Sequence, residues 1–159
     1  MAKDMHIVGF RVGTETFGVP IATVHEIVRV PNITAVPDSP DCVEGVINLR
    51  GRIIPVIDLR KRFREKQITP GKKNRILVVE VEGKMVGLMV DAASEVLKIP
   101  PSDIEAPPNV FDEGELNYVT GVGKLNGRLI IMVDLRRVLQ QGELRRISGM
   151  IQQESAATA

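Results

Sequence analysis

The sequence predicts an all-β fold, mainly strands with short helices, arranged as two small β-barrel lobes related by a pseudo-twofold internal repeat. Three observations support this. Residues 44–60, EGVINLRGRIIPVIDLR, return as residues 120–136, TGVGKLNGRLIIMVDLR; Gly45, Val46, Leu49, Gly51, Arg52, Ile54, Asp58, Leu59 and Arg60 recur identically 76 positions on. Composition alone gives roughly one match in such a window, so the segment is a duplicated unit. Second, residues 17–30 align with residues 86–99 at an offset of 69, with Gly18 and Glu26 identical and apolar residues facing apolar ones. Third, the apolar runs are short, β-branched and punctuated by turn residues, and no helix long enough for a parallel crossover is evident.

Taken in order, residues 6–12, 52–58, 75–81, 84–90 and 128–134 read as strands. Glu82-Gly83, Arg50-Gly51 and Asn126-Gly127 sit between apolar runs as two-residue hairpin tips, which makes the flanking strands antiparallel. Helical signals are brief: residues 21–29, residues 58–66 with Asp58 as N-cap, and residues 134–141 with Asp134 in the same role. Connectors follow at 67–74 and 100–117, both of exposed-loop composition. Residues 141–159 read as a terminal helix followed by a frayed tail. Short strands joined by hairpins must close to bury faces and edges, hence the barrels. The approximate lobes are 6–67 and 75–140 of a single domain spanning 6–140, with exchange of strands between them left open.

With 43% apolar and 26% charged residues and a formal charge of +1, the chain has a core's worth of apolar residues. It shows no global electrostatic pull toward nucleic acid or membrane. The single Cys42 excludes an internal disulfide framework and a multi-cysteine metal site. No stretch approaches the roughly 18–20 apolar residues of a membrane span, and Met1-AKDMH lacks a signal-peptide apolar region, so a cytoplasmic protein without membrane insertion is expected.

Where the two copies agree, folding is the simplest explanation: glycines for turns, aspartates for caps, aliphatic residues for cores. Their differences say more. The second tip is Asn126-Gly127, well suited to a type I′ turn, whereas the first is Arg50-Gly51. An Arg in that conformation is disfavoured, which points to use in recognition, unless the first copy makes a looser turn. Asn48 adds an amide, and Glu26, read as lying on a helical turn, offers Arg50 an opposite charge. An ion pair between Glu26 and Arg50 is therefore expected.

No phosphate-loop, dinucleotide, zinc-protease or serine-nucleophile signature occurs, and His6 and His25 have no companions at ligand spacing. Neither catalysis nor a bound cofactor or metal is expected. The basic stretch from Arg60 to Arg75 leaves a small β-barrel nucleic-acid-binding module as the alternative function. With 3% aromatics and no interleaved stacking residues, that stretch reads better as a solvated helix face, and no nucleic-acid partner is expected.

The run GVINLRGRIIPVIDL at 45–59, preceded by FGVPIATVHEI at 17–27 and followed by residues 75–97, resembles the CheW family of bacterial chemotaxis adaptors. The resemblance spans about residues 6–140. It implies two five-stranded SH3-like barrels around separate cores. It also implies a non-catalytic scaffold, recruited to membrane-associated arrays, that couples the cytoplasmic tips of methyl-accepting chemoreceptors to the histidine kinase CheA. Family receptor contacts transfer to Val24, Glu26, Ile27, Gly45, Asn48, Leu49, Arg50, Ile76, Gly87 and Val96. The kinase-facing surface carries no motif sharp enough to name residues.

Overall fold

The computed structural model describes residues 4–38, 42–63, 71–106 and 118–139. Eleven strands are described: β1 (Met5–Val12), β2 (Glu15–Pro20), β3 (Val24–Arg29), β4 (Val43–Leu49), β5 (Arg52–Asp58), β6 (Arg75–Val81), β7 (Lys84–Val90), β8 (Ala92–Ile99), β9 (Ile104–Glu105), β10 (Val119–Leu125) and β11 (Arg128–Val133). Two one-turn helices, α1 (Leu59–Arg62) and α2 (Leu135–Val138), follow β5 and β11, 76 residues apart. Asp58 and Asp134 cap them, each carboxylate accepting from the backbone N–H two residues on at 2.9 Å. The rest of the predicted helices, at 64–66 and 140–141, and the predicted terminal helix and tail lie outside the described residues.

The strands form a six-stranded sheet, β8-β1-β2-β11-β10-β9, and a five-stranded sheet, β3-β6-β7-β5-β4. The two are built alike. Parallel pairing of β2 with β11 sets Gly18 against Met132, and that of β7 with β5 sets Gly87 against Val56, the same contact after offsets of 69 and 76. Bulges recur at equivalent places, between Val43 and Gly45 and between Val119 and Gly121. The isolated bridge Thr34–Val46 matches the pairing of Glu105 with Val122.

Each sheet takes its hairpin from the other copy. The first hairpin, β1–β2, joins β8, β10 and β11, while β6–β7 joins β3, β4 and β5. The boundary between 67 and 75 read from the sequence therefore separates strands of one five-stranded sheet. Its short loop composition marked a connection along the chain, not a division of the sheets.

Exchange explains why these strands are apolar on both faces. On β6, Ile76 and Val78 turn into a cluster with Ile47, Ile54, Val56 and Met89 inside the five-stranded lobe. Leu77, Val79 and Val81 turn the other way, into a larger core that also takes Val8, Phe10 and Val12 of β1. Ile7, Ile99, Ile130 and Met132 form the small core of the six-stranded lobe. The separate cores implied by resemblance are thus joined by a third, shared one. Phe63 stacks on Tyr118 and meets Phe17 at a tilt of 32°, with ring centroids 4.9 Å apart in each pair.

Residues 21–29 are not helical, contrary to the sequence reading. Only Ile21–Thr23 form a 3-10 turn, and Val24–Arg29 is a strand whose burial alternates along its length. The β-branched Val24, Ile27 and Val28 favour that outcome, and pairing with β6 decides it. Edge strand β3 and edge strand β4 lie at opposite ends of their sheet. Even so, a side-chain pair joins β3 to the β4–β5 tip, so the sheet curls.

Candidate functional site

That pair is Glu26 with Arg50. Arg50 Nη1 donates to Glu26 Oε2 at 2.6 Å and Nη2 to Oε1 at 2.9 Å, a two-pronged, planar arrangement that fixes both orientation and charge. The arginine side chain is 73% exposed and the glutamate 27%, so the guanidinium keeps a face toward solvent. Hydrogen bonding to Arg50 holds the Glu26 carboxyl below the usual carboxylate range, against a smaller opposing effect of desolvation. The same bond raises Arg50.

The turn itself resolves the alternative left open by the sequence. Arg50 has φ 52° and Gly51 φ 85°, against 51° and 80° at Asn126 and Gly127. Both copies therefore make the same positive-φ turn, and Arg50 occupies a conformation that favours Asn or Gly. Asn48 helps to hold it there: its Oδ1 accepts from Gly51 N at 2.8 Å. In the second copy Glu95 is the counterpart of Glu26, and its partner is Arg128 at 3.3 Å, a single contact from the strand rather than from the tip.

The ten residues carried over by resemblance fall into distinct settings. Glu26, Asn48 and Arg50 meet at the rim of the five-stranded lobe, with Ile27 exposed on β3 and Leu49 half-buried beside the tip. Val24, on the same strand as Glu26, packs against the shared core. Gly45 has φ +145° and lies so close to Thr34 that a Cβ would stand 2.0 Å from its carbonyl oxygen. Ile76 is fully buried, and a Cβ on Gly87 would come within 2.8 Å of its Cγ2. Val96 is 58% exposed but sits on β8, in the other sheet.

The basic stretch departs from the sequence reading. Arg60 is 4% exposed rather than part of a solvated face. Its Nε and Nη2 donate to the two oxygens of Asp58 at 3.0 Å each, and Nη1 reaches Asp91 at 3.3 Å. Burial works against its charge, but these two carboxylates outweigh it and raise the pKa of Arg60. Arg62 is also engaged internally, donating from Nε to Val138 O at 2.8 Å. Sequence reasoning missed Asp91 altogether, although one signal was present: at the matching position of the first copy stands Ala22.

Among the described residues, no group of three or more His, Cys, Asp or Glu side chains could hold a metal ion. No described helix is long and apolar enough to cross a membrane.

Comparison with known proteins settles the class. A family model described as CheW-like domain matches residues 6–143. The chain belongs to the CheW family. It is 36% identical to the chemotaxis protein CheW of Rhizobium meliloti over 86% of this chain and 88% of that one. With the CheW of Klebsiella aerogenes identity is 33%, over 85% and 81% respectively. Among solved structures, the scaffolding protein TtCheW from Thermoanaerobacter tengcongensis superposes with a TM-score of 0.80 at 40% identity, covering 90% of this chain and 96% of that one. The chain is accordingly a chemotaxis scaffold and not an enzyme, and the nucleic-acid alternative finds no support.

Proposed function

We propose that this scaffold couples the cytoplasmic tips of methyl-accepting chemoreceptors to the histidine kinase CheA, as a cytoplasmic protein recruited to membrane-associated arrays. The observation that carries the reading is Arg50: it holds a disfavoured turn conformation, pairs in two-pronged fashion with Glu26, and still presents most of its side chain to solvent. A residue kept there at conformational cost is better explained by recognition than by folding. Ile27 and Leu49 supply apolar surface on which a receptor helix can rest. Gly45, Ile76 and Gly87 serve the site by packing beneath it. Coupling requires no chemistry, because holding receptor and kinase together raises their effective concentration.

The test uses the full chain with purified receptor and kinase fragments. Arg50→Glu and Glu26→Arg each lower receptor-fragment affinity at least tenfold, measured by calorimetry, with circular dichroism unchanged. The double exchange restores binding. Wild-type protein that binds neither fragment ends this reading, and loss of secondary structure in Arg50→Glu assigns the arginine to folding instead.

A further inference from the structure

Asp91 stands where the chain leaves β7 of the five-stranded sheet and enters β8 of the six-stranded one. Its carboxylate reaches into both. Oδ2 accepts from Gly13 N, at the tip of the β1–β2 hairpin, at 2.7 Å. Oδ1 accepts from Arg60 Nη1, on α1 after β5, at 3.3 Å. The Asp91 backbone N–H donates to Arg11 O at 2.9 Å, a second tie to the first hairpin. Arg60 in turn is clasped by Asp58, and its side chain is 5% exposed. One residue thus joins the exchanged hairpin of one lobe to the helix of the other.

The repeat contains its own comparison. At the reciprocal junction, where β2 hands over to β3, the residue 69 positions earlier is Ala22, whose methyl accepts no hydrogen bond. There the counterpart of Gly13 is Glu82, and that of Arg60 is Arg136, whose side chain is 69% exposed. Glu82, Thr23, Met132 and Arg136 line an open groove of about 540 Å³ at that junction. Among the described residues, the same architecture carries this tie at one crossing and no counterpart of it at the other.

We propose that Asp91 is a positioning residue for coupling: it fixes the six-stranded lobe, and with it β8, against the lobe that carries the Glu26–Arg50 pair. The functional part of this proposal rests on the coupling reading above; the conformational part does not. Loss of the tie leaves each lobe folded but lets their relative orientation spread, because the shared core is apolar and non-directional whereas the Asp91 contacts are directional.

The experiment uses full-length Asp91→Ala, Asp91→Asn and Ala22→Asp variants. Hydrogen exchange at the Gly13 amide is expected to accelerate at least tenfold in Asp91→Ala and less in Asp91→Asn, whose side-chain oxygen still accepts that bond. Spin labels on Arg52→Cys and Leu129→Cys in a Cys42→Ala background read the distance between sheets. Its distribution is expected to broaden about twofold in Asp91→Ala. Ala22→Asp, which offers a carboxylate to Arg136 and to the Glu82 N–H, is expected to slow exchange at Glu82 and to narrow the distribution. In coupling assays, Asp91→Ala is expected to change the separate affinities for receptor and kinase less than threefold while reducing kinase stimulation in the ternary mixture at least fivefold. An unchanged Gly13 rate and distance distribution in Asp91→Ala overturns the proposal. If that variant fails to fold, an Ala22→Asp chain with unaltered Glu82 exchange overturns it equally. Proportional loss of binary affinity and stimulation removes the positioning role. Wild-type chain that binds neither partner defeats the coupling reading and with it that functional role, while the exchange and distance measurements still decide whether Asp91 ties the lobes.

Discussion

Replacing Arg60 and Arg136 by alanine, one at a time, turns the duplication into a matched experiment. The two arginines are equivalent in the repeat, yet one is buried between Asp58 and Asp91 and the other lies open beside Asp134. Removing Arg60 strands two carboxylates in or near the interior. Breaking a buried pair in this way costs about 3–5 kcal/mol. Arg136→Ala removes a contact of 3.6 Å from a largely exposed side chain, and a surface change of that kind stays within about 0.5 kcal/mol. In urea, with a slope of about 2 kcal/mol/M, the first variant should lower the unfolding midpoint by roughly 2 M and the second by under about 0.3 M. Combining Arg60→Met with Asp58→Asn and Asp91→Asn removes the stranded charges and should recover more than half of the loss. Equal midpoint shifts for the two alanine variants, or no recovery in the triple variant, would refute the account of Arg60 as the centre of a buried ionic cluster.

Gly45→Ala should destabilise by well over about 1 kcal/mol, since it meets both a positive φ and the Thr34 carbonyl, as judged by thermal unfolding. Gly87→Ala, which meets the buried Cγ2 methyl of Ile76 instead of backbone and has no positive φ, should cost about 1–3 kcal/mol and less than Gly45→Ala. Asp134→Ala should cost about 0.5–2 kcal/mol through its cap, and Asp58→Ala more, because the same carboxylate also holds Arg60; chemical denaturation compares them. Carboxyl NMR should place the Glu26 midpoint below the usual carboxylate range and raise it in Arg50→Ala. The sign follows from the depressed folded-state value: what the Arg50 bond contributes is fully present above the unfolded-state pKa and is lost as pH falls through the folded-state one.

The repeat was legible because duplication leaves identical residues at a fixed offset, and the turns and caps because Gly51, Gly127, Asp58 and Asp134 each answer a local requirement. The Glu26–Arg50 pair could be anticipated because Arg50 departs from the Asn126 of its repeat at the hairpin tip and Glu26 offers it an opposite charge. What escaped the reading is non-local. Val24–Arg29 carries a mixed local pattern, and its state is set by pairing with β6 about 50 residues away. The exchange of hairpins left only an ambiguous mark, because β1 and β6, apolar on both faces, announce burial on two sides without saying which sheet they join. Asp91 was hidden among similar surface acids, since its meaning depends on Gly13 and Arg60 arriving from opposite directions.

The exchanged hairpin also sets an order of events during synthesis. β1 and β2 leave the ribosome first, but β1 pairs with β8 from Met5 to Ile99, and β2 with β11 from Thr16 to Ile130. At about 5–20 residues per second, the first hairpin waits on the order of ten seconds for its sheet. The five-stranded lobe, by contrast, has all its strands by Val90. One lobe can assemble while the chain is still being made; the other must close around a hairpin whose β1 edge finds β8 by Ile99 and whose β2 edge has no partner strand until β11 is made.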